Sequence, residues 1–342
     1  MTVAPSGDSV DRTRSVGEVG ERRLIAELTR AATRGDLEPT PGTGHDIVIG
    51  SGDDAAVIDT AGPTVISTDT AVQGRHFRFD WSDARTVGAR AVVASAADIA
   101  AMGGRTTGVV VSIACPSSTS VGTVLDLNAG IVDATHRLGA RVLGGDLVAA
   151  DQVVLTVTAV GALDGATPIV VGGARPGDVL AVTGTALGAS AAGLALFVDA
   201  EQRGDRSVLE AHPQLLDAYR LPSPALEQGP VAARAGAHAM TDISDGLVEE
   251  LVTMSAASGT RLSVDSRLVP TTPEITSAAK ALGAELVDWT VAGGEDHELL
   301  GAFAADTVPA GWTVIGTVEA GAGVIVDDRA VDDLHGWQSF GS

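Results

Sequence analysis

Residues 47–69 read IVIGSGDDAAVIDTAGPTVISTD, and this stretch holds the pattern that decides the fold. Two β-branched runs of strand length are separated by a turn, and each run meets carboxylates. Asp53 and Asp54 follow the first run beside glycine, and Asp69 ends the second run. Carboxylates in such places form either a solvated turn or a site for a hard cation that faces a phosphate.

The rest of the chain alternates helix and strand patterns, with some hairpin-like neighbouring strands, which predicts an α+β or mixed α/β fold. A Ser-x-x-Glu capping box predicts one helix over 15–33. Asp83 is expected to cap the next helix, which is rich in alanine and valine. A short strand at 141–143 is expected to end at the Gly144-Gly145-Asp146 segment.

Composition shifts to glycine, proline and short polar residues over 161–177, and we place a domain boundary there. We therefore expect a disordered N-terminus at 1–14, an N-terminal domain at 15–163 and a C-terminal α+β domain at 164–342. The total of 342 residues agrees with about two domains.

The net charge of −22 argues against nucleic acid or an anionic membrane as the main partner. The only cysteine, Cys115, excludes an internal disulfide and is compatible with a reducing cytoplasm. The N-terminus lacks the apolar segment of a signal peptide. Residues 179–198 carry no charge, but their glycines favour a strand, a turn and a helix, so we expect a soluble, cytoplasmic protein.

Five segments combine carboxylates with glycine or hydroxyl residues. They are Gly52-Asp53-Asp54, Ser67-Thr68-Asp69, Gly144-Gly145-Asp146, Asp242-Ile243-Ser244-Asp245-Gly246 and Gly293-Gly294-Glu295-Asp296. Glycine lets the backbone approach a ligand, and carboxylate and hydroxyl oxygens are ligands that Mg²⁺ or Ca²⁺ prefers. Asp98 lies in an apolar helical stretch, where it either marks a wet edge or needs a cation or several donors.

Carboxylates beside a polyphosphate require counter-cations, because like charges about 4 Å apart repel by about 4 kcal/mol at an effective dielectric near 20. Mg²⁺ ions that bridge carboxylates to phosphates meet this need, as they do in phosphoryl transfer. The sequence contains no P-loop, no Asp-x-Asp, no EF-hand spacing and no His-Glu-x-x-His. A non-catalytic protein that binds Ca²⁺ or Mg²⁺ through the same segments is the alternative of a different class.

In this order, the motifs resemble those of the thiamine-monophosphate kinase family, which belongs to the superfamily typified by aminoimidazole ribonucleotide synthetase. The most specific are GDDAA, STDTAVQGRHF, GGD, DISDGL and GGEDHEL, and the resemblance spans 15–340. It implies a two-domain fold like that of the synthetase, with an N-terminal domain that binds ATP and metal and whose sheets pair across a homodimer. It also implies ATP- and Mg²⁺-dependent phosphorylation of thiamine monophosphate to thiamine diphosphate.

The resemblance assigns roles to individual residues. The implied ligands of several Mg²⁺ ions are Asp54, Ser67, Thr68, Asp69, Asp98, Asp146, Asp242 and Asp245. The implied nucleotide contacts are Gly145, Asp146 and Ser244, and the implied contacts with thiamine monophosphate are His76, Glu295 and Trp337. No general base is assigned, because a phosphomonoester with a second pKa of about 6 is mostly dianionic at neutral pH.

Two positions depart from the family pattern. Val171 stands where an arginine that meets the nucleotide is common, and His297 stands where tyrosine is frequent. Selenophosphate synthetase would carry a reactive Cys or selenocysteine near its N-terminus, and the hydrogenase-maturation member ends in cysteine; this chain has neither feature. Aminoimidazole ribonucleotide synthetase is a remaining rival, although it fits the run at 67–77 less well.

Overall fold

The computed structural model describes residues 10–33, 45–50, 55–327, 329–331 and 335–337. The Gly52-Asp53-Asp54 segment lies outside the described residues, so the assignment of a metal ion to Asp54 stays a prediction.

The N-terminal half, which we define as the chain up to the end of β6, contains one four-stranded sheet. Its helices are α1 (Val16–Val19), α2 (Glu21–Thr33), α3 (Ala84–Ala101) and α4 (Val121–Arg137). Its strands are β1 (His45–Ile49), β2 (Val57–Thr60), β3 (Thr64–Val72), β4 (Arg105–Cys115), β5 (Arg141–Ala149) and β6 (Val154–Ala162). The sheet has the order β3-β6-β4-β5, and β1 pairs with β2 as a separate hairpin. All pairs in the sheet are antiparallel except β4 with β5.

Residues near the N-terminus differ from the sequence prediction in two ways. The capping box is present, since Glu18 accepts from the Ser15 N–H at 2.8 Å. The single predicted helix is wrong, however, because Gly20 takes a φ of +83° and separates α1 from α2. Residues 10–14, expected to be disordered, pack on the start of α4: Val10 is buried, and the N–H of Val121 donates to the Arg14 carbonyl.

Alternation along the strands gives the sheet a covered face and an open face. Leu155 and Val157 point to the covered face, where they join the core formed with α3 and α4. Asp83 caps α3 as predicted, accepting from the Thr86 N–H at 2.8 Å. The open face carries exposed apolar side chains, of which Ile66 is 66% exposed. We call this surface the open face below.

The C-terminal half is built on one seven-stranded mixed sheet with the order β13-β12-β9-β11-β7-β10-β8. Its strands are β7 (Val179–Thr183), β8 (Ala239–Asp242), β9 (Thr260–Val264), β10 (Leu299–Phe303), β11 (Trp312–Ala320), β12 (Gly323–Val326) and β13 (Arg329–Ala330). Its helices are α5 (Ala189–Arg203), α6 (Ser207–Ala211), α7 (Pro213–Arg220), α8 (Gln228–Ala235), α9 (Leu247–Ser258), α10 (Pro273–Leu282) and α11 (Leu286–Thr290). Residues 179–198 thus form a strand, a turn and the start of a helix, as expected. No helix in the described ranges has the length and apolar character needed to cross a membrane.

The end of α3 joins the two halves. Ala100 and Ala101 are buried in one apolar cluster with Phe303 and Trp312 of the C-terminal sheet. The contact with α8 is close, since a Cβ at Gly229 would lie 2.2 Å from the Ala100 carbonyl oxygen. Residues of α3 therefore face the C-terminal half directly.

Candidate active site

Two of the acidic segments lie inside strands and not at strand ends. β3 continues past Asp69 to Val72, and β5 continues through Asp146 to Ala149, so the prediction that these strands end there is wrong. The glycine in β5 is required by packing, since a Cβ at Gly145 would lie 2.2 Å from a carbonyl oxygen of β4. Gly145 therefore serves close contact between strands and does not mark the end of β5.

The alternation of β3 divides its Ser-Thr-Asp run between the two faces. Ser67 Oγ donates to Asp98 Oδ2 at 2.5 Å, and the Ser95 hydroxyl of α3 lies near enough to Asp69 to lower its pKa, so both residues face α3. Thr68 faces the other way, with its Oγ1 3.0 Å from Oγ1 of a threonine on β6. The structure thus brings together Ser67, Asp69 and Asp98, and it keeps the Thr68 side chain apart from them.

The two acidic loops of the C-terminal half run side by side. The Glu295 N–H donates to the Ser244 carbonyl at 2.7 Å, and the His297 N–H donates to the Ile243 carbonyl at 2.9 Å. Across this ladder, His297 Nδ1 lies 3.2 Å from Asp242 Oδ2. His297 Nε2 is buried and lies 3.6 Å from Glu295 Oε2, and none of the described residues forms a hydrogen bond with it.

Carboxylates of the two halves face one another across the junction. Burial raises the pKa of Asp98 to about 6, and the negative charges of Asp242 and Asp69 add to the rise. Burial also raises the pKa of Asp69, with Asp242 and Glu295 as further causes, against the opposing effects of Ser95 and His297. We call Asp69, Asp98 and Asp242 the junction carboxylates. Their mutual repulsion favours a cation between them.

His297 supplies part of that positive charge. Burial lowers its pKa, but the hydrogen bond to Asp242 and the negative charges of Glu295 and Asp242 outweigh burial and raise the pKa to about 10. The imidazole is therefore protonated at neutral pH. The departure from tyrosine at this position places a cation beside the junction carboxylates.

Sequence analysis missed Glu250, a partly buried residue on α9. Its Oε1 accepts from Ser244 Oγ at 3.4 Å and lies 3.5 Å from the Asp245 nitrogen. Burial raises the pKa of Glu250 to about 7, and the charge of Asp242 adds to the rise. Burial likewise raises the pKa of Asp245, with Glu295 as the next cause. The sequence does contain a signal for Glu250. A helix that starts directly after Gly246 turns its first residues back toward the loop that precedes it.

The donor set suits a hard cation, but it is not a closed cage. Among the described residues, no three His, Cys, Asp or Glu side chains are arranged to hold one metal ion. Mg²⁺ usually takes only one or two carboxylates and completes its shell with waters and substrate phosphates. Carboxylates with raised pKa values that face one another therefore fit Mg²⁺ that is bound together with phosphates.

Asp146 does not reach the junction carboxylates within one chain. Strand pairing aligns Asp69 with Val157, Val157 with Val111, and Val111 with Gly145. Three strand spacings, about 14 Å, therefore separate Gly145 of β5 from Asp69. Gly145 and Asp146 instead line a cavity of about 750 Å³ between α2, β2 and the open face. Asp146 therefore does not share one metal ion with Asp69 within a single chain, and its assignment as a ligand of one of several Mg²⁺ ions stays a prediction.

The three residues predicted to contact the substrate lie in different settings. Trp337 is 48% exposed, and its backbone N–H donates to the Asp245 carbonyl at 2.9 Å. Glu295 forms an ion pair of 2.6 Å with Arg90 of α3. His76 lies in the turn after β3, where its Nδ1 accepts from the Val72 N–H at 3.1 Å. Trp337 and Glu295 thus border the same loop pair, whereas no contact ties His76 to that pair among the described residues.

Val171, which stands where the family commonly has an arginine, has a packing role. Val171 is partly buried against the core of the C-terminal half. Arg175 does not replace the arginine, because its Nη1 lies 3.4 Å from Nε2 of His238, which pairs with Asp178. His238 precedes β8, whereas Asp242 ends that strand, so the two residues lie at opposite ends of it.

Known proteins are similar to this chain in sequence and in fold. The family models for AIR synthase related protein match over 52–163 (N-terminal domain) and 175–329 (C-terminal domain). The thiamine-monophosphate kinase of Mycobacterium tuberculosis (strain CDC 1551 / Oshkosh) is 41% identical over 327 residues, which cover 95% of this chain and 92% of that protein. The thiamine-monophosphate kinase of Corynebacterium glutamicum is 38% identical over 350 residues, with 99% and 100% coverage.

A solved structure, "AaThiL complexed with AMPPCP and TMP", is 25% identical and covers 94% of this chain and 98% of its own, with a TM-score of 0.75. This likeness confirms the predicted two-domain mixed fold. Identity of 41% along nearly the whole chain is far above what a shared fold alone requires. The chain belongs to the thiamine-monophosphate kinase family.

Proposed function

We propose that the protein transfers the γ-phosphoryl group of ATP directly to thiamine monophosphate, forming thiamine diphosphate and ADP. The observation that carries the proposal is the meeting of Asp69, Asp98 and Asp242 at the junction of the two halves. It occurs in a chain that is 41% identical to a thiamine-monophosphate kinase over 95% of its length. The relative named AaThiL was solved with an ATP analogue and TMP, which supports the same pair of ligands here.

The reaction needs positioning more than proton transfer. An oxygen of the substrate phosphate forms a bond to the γ-phosphorus, and the bond from that phosphorus to the β–γ bridging oxygen breaks as ADP leaves. The attacking phosphate is already mostly dianionic at neutral pH, with a second pKa of about 6, so it requires no base. The chain's own contribution is to hold two anionic substrates in line at the junction.

We assign Mg²⁺ to the junction carboxylates, with Ser67 and Asp245 beside them. When bound, Mg²⁺ would neutralise the phosphate charges that the carboxylates otherwise repel. Asp54 and Thr68 are further ligands implied by the family pattern. Because the Thr68 side chain faces away from Asp69, we assign its backbone to the ion. Ser244 and the cavity at Gly145 are our candidates for contacts with the nucleotide.

We assign the cationic thiamine rings to Glu295 and Trp337. Although burial raises the pKa of Glu295, the charges of Arg90 and His297 outweigh it and hold the pKa well below its usual range. Glu295 is therefore an ionised acceptor that suits a cation. An exposed indole offers a face on which a cationic ring stacks. His76 is a further candidate for this part of the site.

We propose a homodimer in which a second copy covers the open face. That face exposes apolar side chains on three strands, with Ile66 at 66%, Val110 at 40% and Val148 at 44%. An apolar sheet face of this kind favours burial against a partner. Because Asp146 cannot reach Asp69 within one chain, we further propose that each active site receives Asp146 from the partner copy. The expected compartment is the cytoplasm.

The test is an assay of the purified protein with ATP, MgCl₂ and thiamine monophosphate, with products separated by chromatography. We expect thiamine diphosphate to form with Mg²⁺ and to be absent when EDTA is in excess. Asp69→Asn is expected to abolish turnover while the protein stays folded. No thiamine diphosphate above background from the wild-type protein would refute the proposal.

A further inference from the structure

Arg90 is a buried cation on α3, and within the described part of the chain its side-chain hydrogen bonds both go to the C-terminal half. Its residue is 8% exposed, and it belongs to a helix whose neighbouring positions pack in the N-terminal core. A buried guanidinium is costly unless its donors are paired. Its partners therefore indicate what the residue is for.

Those partners fix the guanidinium at three points. Nη1 donates to the Tyr219 carbonyl at 2.9 Å, and Nη2 donates to Glu295 Oε2 at 2.6 Å. The guanidinium carbon also lies 5.0 Å from the centroid of the Tyr219 ring. A planar cation held by two acceptors and a ring face has one orientation, which a lysine would not reproduce.

We call the contacts of Arg90 with Tyr219 and Glu295 the bridge. Its Tyr219 end is itself held in place. Arg220 Nε donates to the Trp81 carbonyl at 2.7 Å. The Trp81 ring stacks on Phe197 of α5, with centroids 5.3 Å apart and planes 12° apart. Trp81 precedes α3 in the chain, so these contacts tie the end of α7 to the same segment that carries Arg90. The Tyr219 carbonyl is thus a fixed reference point.

The Glu295 backbone needs such support. Glu295 has a φ of +68°, a left-handed conformation that residues with a Cβ rarely adopt. Such conformations persist only when their surroundings hold them, and they concentrate at functional sites. The hydrogen bond to the Ser244 carbonyl holds the main chain, and Arg90 holds the side chain.

Both contacts of Glu295 use Oε2, since His297 Nε2 also approaches that atom, at 3.6 Å. No hydrogen bond or ion pair among the described residues uses Oε1, which leaves that atom available to a ligand. Without Arg90, the Glu295 carboxylate would be one more acidic group free to turn toward the junction carboxylates and a metal ion. The bridge keeps it separate from them.

We propose that Arg90 is a positioning residue for substrate recognition: across the junction, it fixes Glu295 as an acceptor for the cationic part of the substrate. The proposal rests on the proposed function, because it takes thiamine monophosphate as that substrate. It predicts that loss of Arg90 weakens the hold on thiamine monophosphate and leaves the hold on ATP unchanged. A residue that only stabilises the fold would not separate the two substrates.

The test compares Arg90→Met and Arg90→Lys with Arg85→Gln, a matched control. Arg85 lies on the same helix but pairs with Asp133 at the surface. We expect Arg90→Met to raise the KM for thiamine monophosphate about tenfold or more, as loss of a charged hydrogen bond does, with the KM for ATP changed by less than about twofold. Arg90→Lys should recover part of the loss, and Arg85→Gln should match the wild type. Equal rises in both KM values would overturn the proposal.

A double variant shows whether Arg90 acts through Glu295. Arg90→Met added to Glu295→Gln should raise the KM for thiamine monophosphate by less than about twofold beyond Glu295→Gln alone. Full additivity would overturn the proposal. Calorimetric binding of thiamine monophosphate in the presence of AMPPCP provides the same comparison without turnover. A wild-type protein that binds but does not phosphorylate refutes the proposed function alone, and one that does not bind refutes both.

Discussion

Asp98→Asn should make the ligand-free protein more stable at neutral pH while destroying its activity. In the folded protein the pKa of Asp98 is raised from 3.8 to about 6, chiefly by burial. Between about pH 4 and pH 6 the folded state therefore holds a proton that the unfolded chain has released. The stability this confers is fully present below about pH 4 and is lost as the pH rises through about 6. Above that range the ionised carboxylate destabilises the fold, and Asn removes this cost while keeping an acceptor for Ser67.

The size of the effect follows from the shift. At about 1.4 kcal/mol per pKa unit, the upper limit is about 3 kcal/mol, and partial exposure of the group reduces it to about 1–2 kcal/mol. This corresponds to a Tm rise of about 2–4 °C at pH 7.5 and to little change near pH 4. The assay is thermal unfolding of the ligand-free proteins at both pH values. The control is Asp151→Asn, at an exposed carboxylate between β5 and β6.

Addition of MgCl₂ and AMPPCP should reverse the order of the two Tm values, so that the wild type unfolds at the higher temperature. The wild type is expected to gain more in Tm than Asp98→Asn, because the variant has lost a carboxylate that favours the cation. A lower Tm for Asp98→Asn at pH 7.5, or an equal rise at both pH values, would refute the reasoning that the ionised Asp98 carboxylate destabilises the free protein.

Three further predictions concern the rest of the site. Asp69→Asn and Asp146→Asn should each be inactive, but a 1:1 mixture after subunit exchange should recover about a quarter of wild-type activity if each site takes Asp146 from the partner copy; no recovery would place both carboxylates in one chain. Trp337→Ala should raise the KM for thiamine monophosphate about tenfold without changing Tm, because the side chain is 48% exposed; an unchanged KM would remove it from the site. Gly145→Ala should lower Tm as well as activity, since the new Cβ would lie 2.2 Å from the Val111 carbonyl oxygen; a Tm equal to that of the wild type would contradict the close strand contact.

Sequence reasoning succeeded where a local pattern carries the physics. An aspartate in an apolar helical stretch needs donors or a cation, and Asp98 has both a donor in Ser67 and acidic neighbours that favour a cation. The capping residue Asp83 and the strand, turn and helix at 179–198 were likewise found, because each depends on adjacent residues.

It failed where the outcome depends on tertiary structure. Glycines beside Asp146 suggested the end of a strand, but β5 continues through them, and Gly145 allows close contact with β4. The order β3-β6-β4-β5, which separates Asp146 from Asp69, cannot be obtained from one sequence. Arg90 and Glu250 were missed for a related reason. Arg90 acts on a residue far away in the chain, and Glu250 looks like an ordinary charge on a helix.

The most direct test of the central claim is to follow the phosphoryl group itself. ATP labelled with ¹⁸O on its γ-phosphate is incubated with the protein, MgCl₂ and thiamine monophosphate, and the products are examined by ³¹P NMR. Direct transfer predicts one ADP for each thiamine diphosphate, with the label in the terminal phosphate of the product. Label that appears in free phosphate while thiamine monophosphate is unchanged would contradict the account.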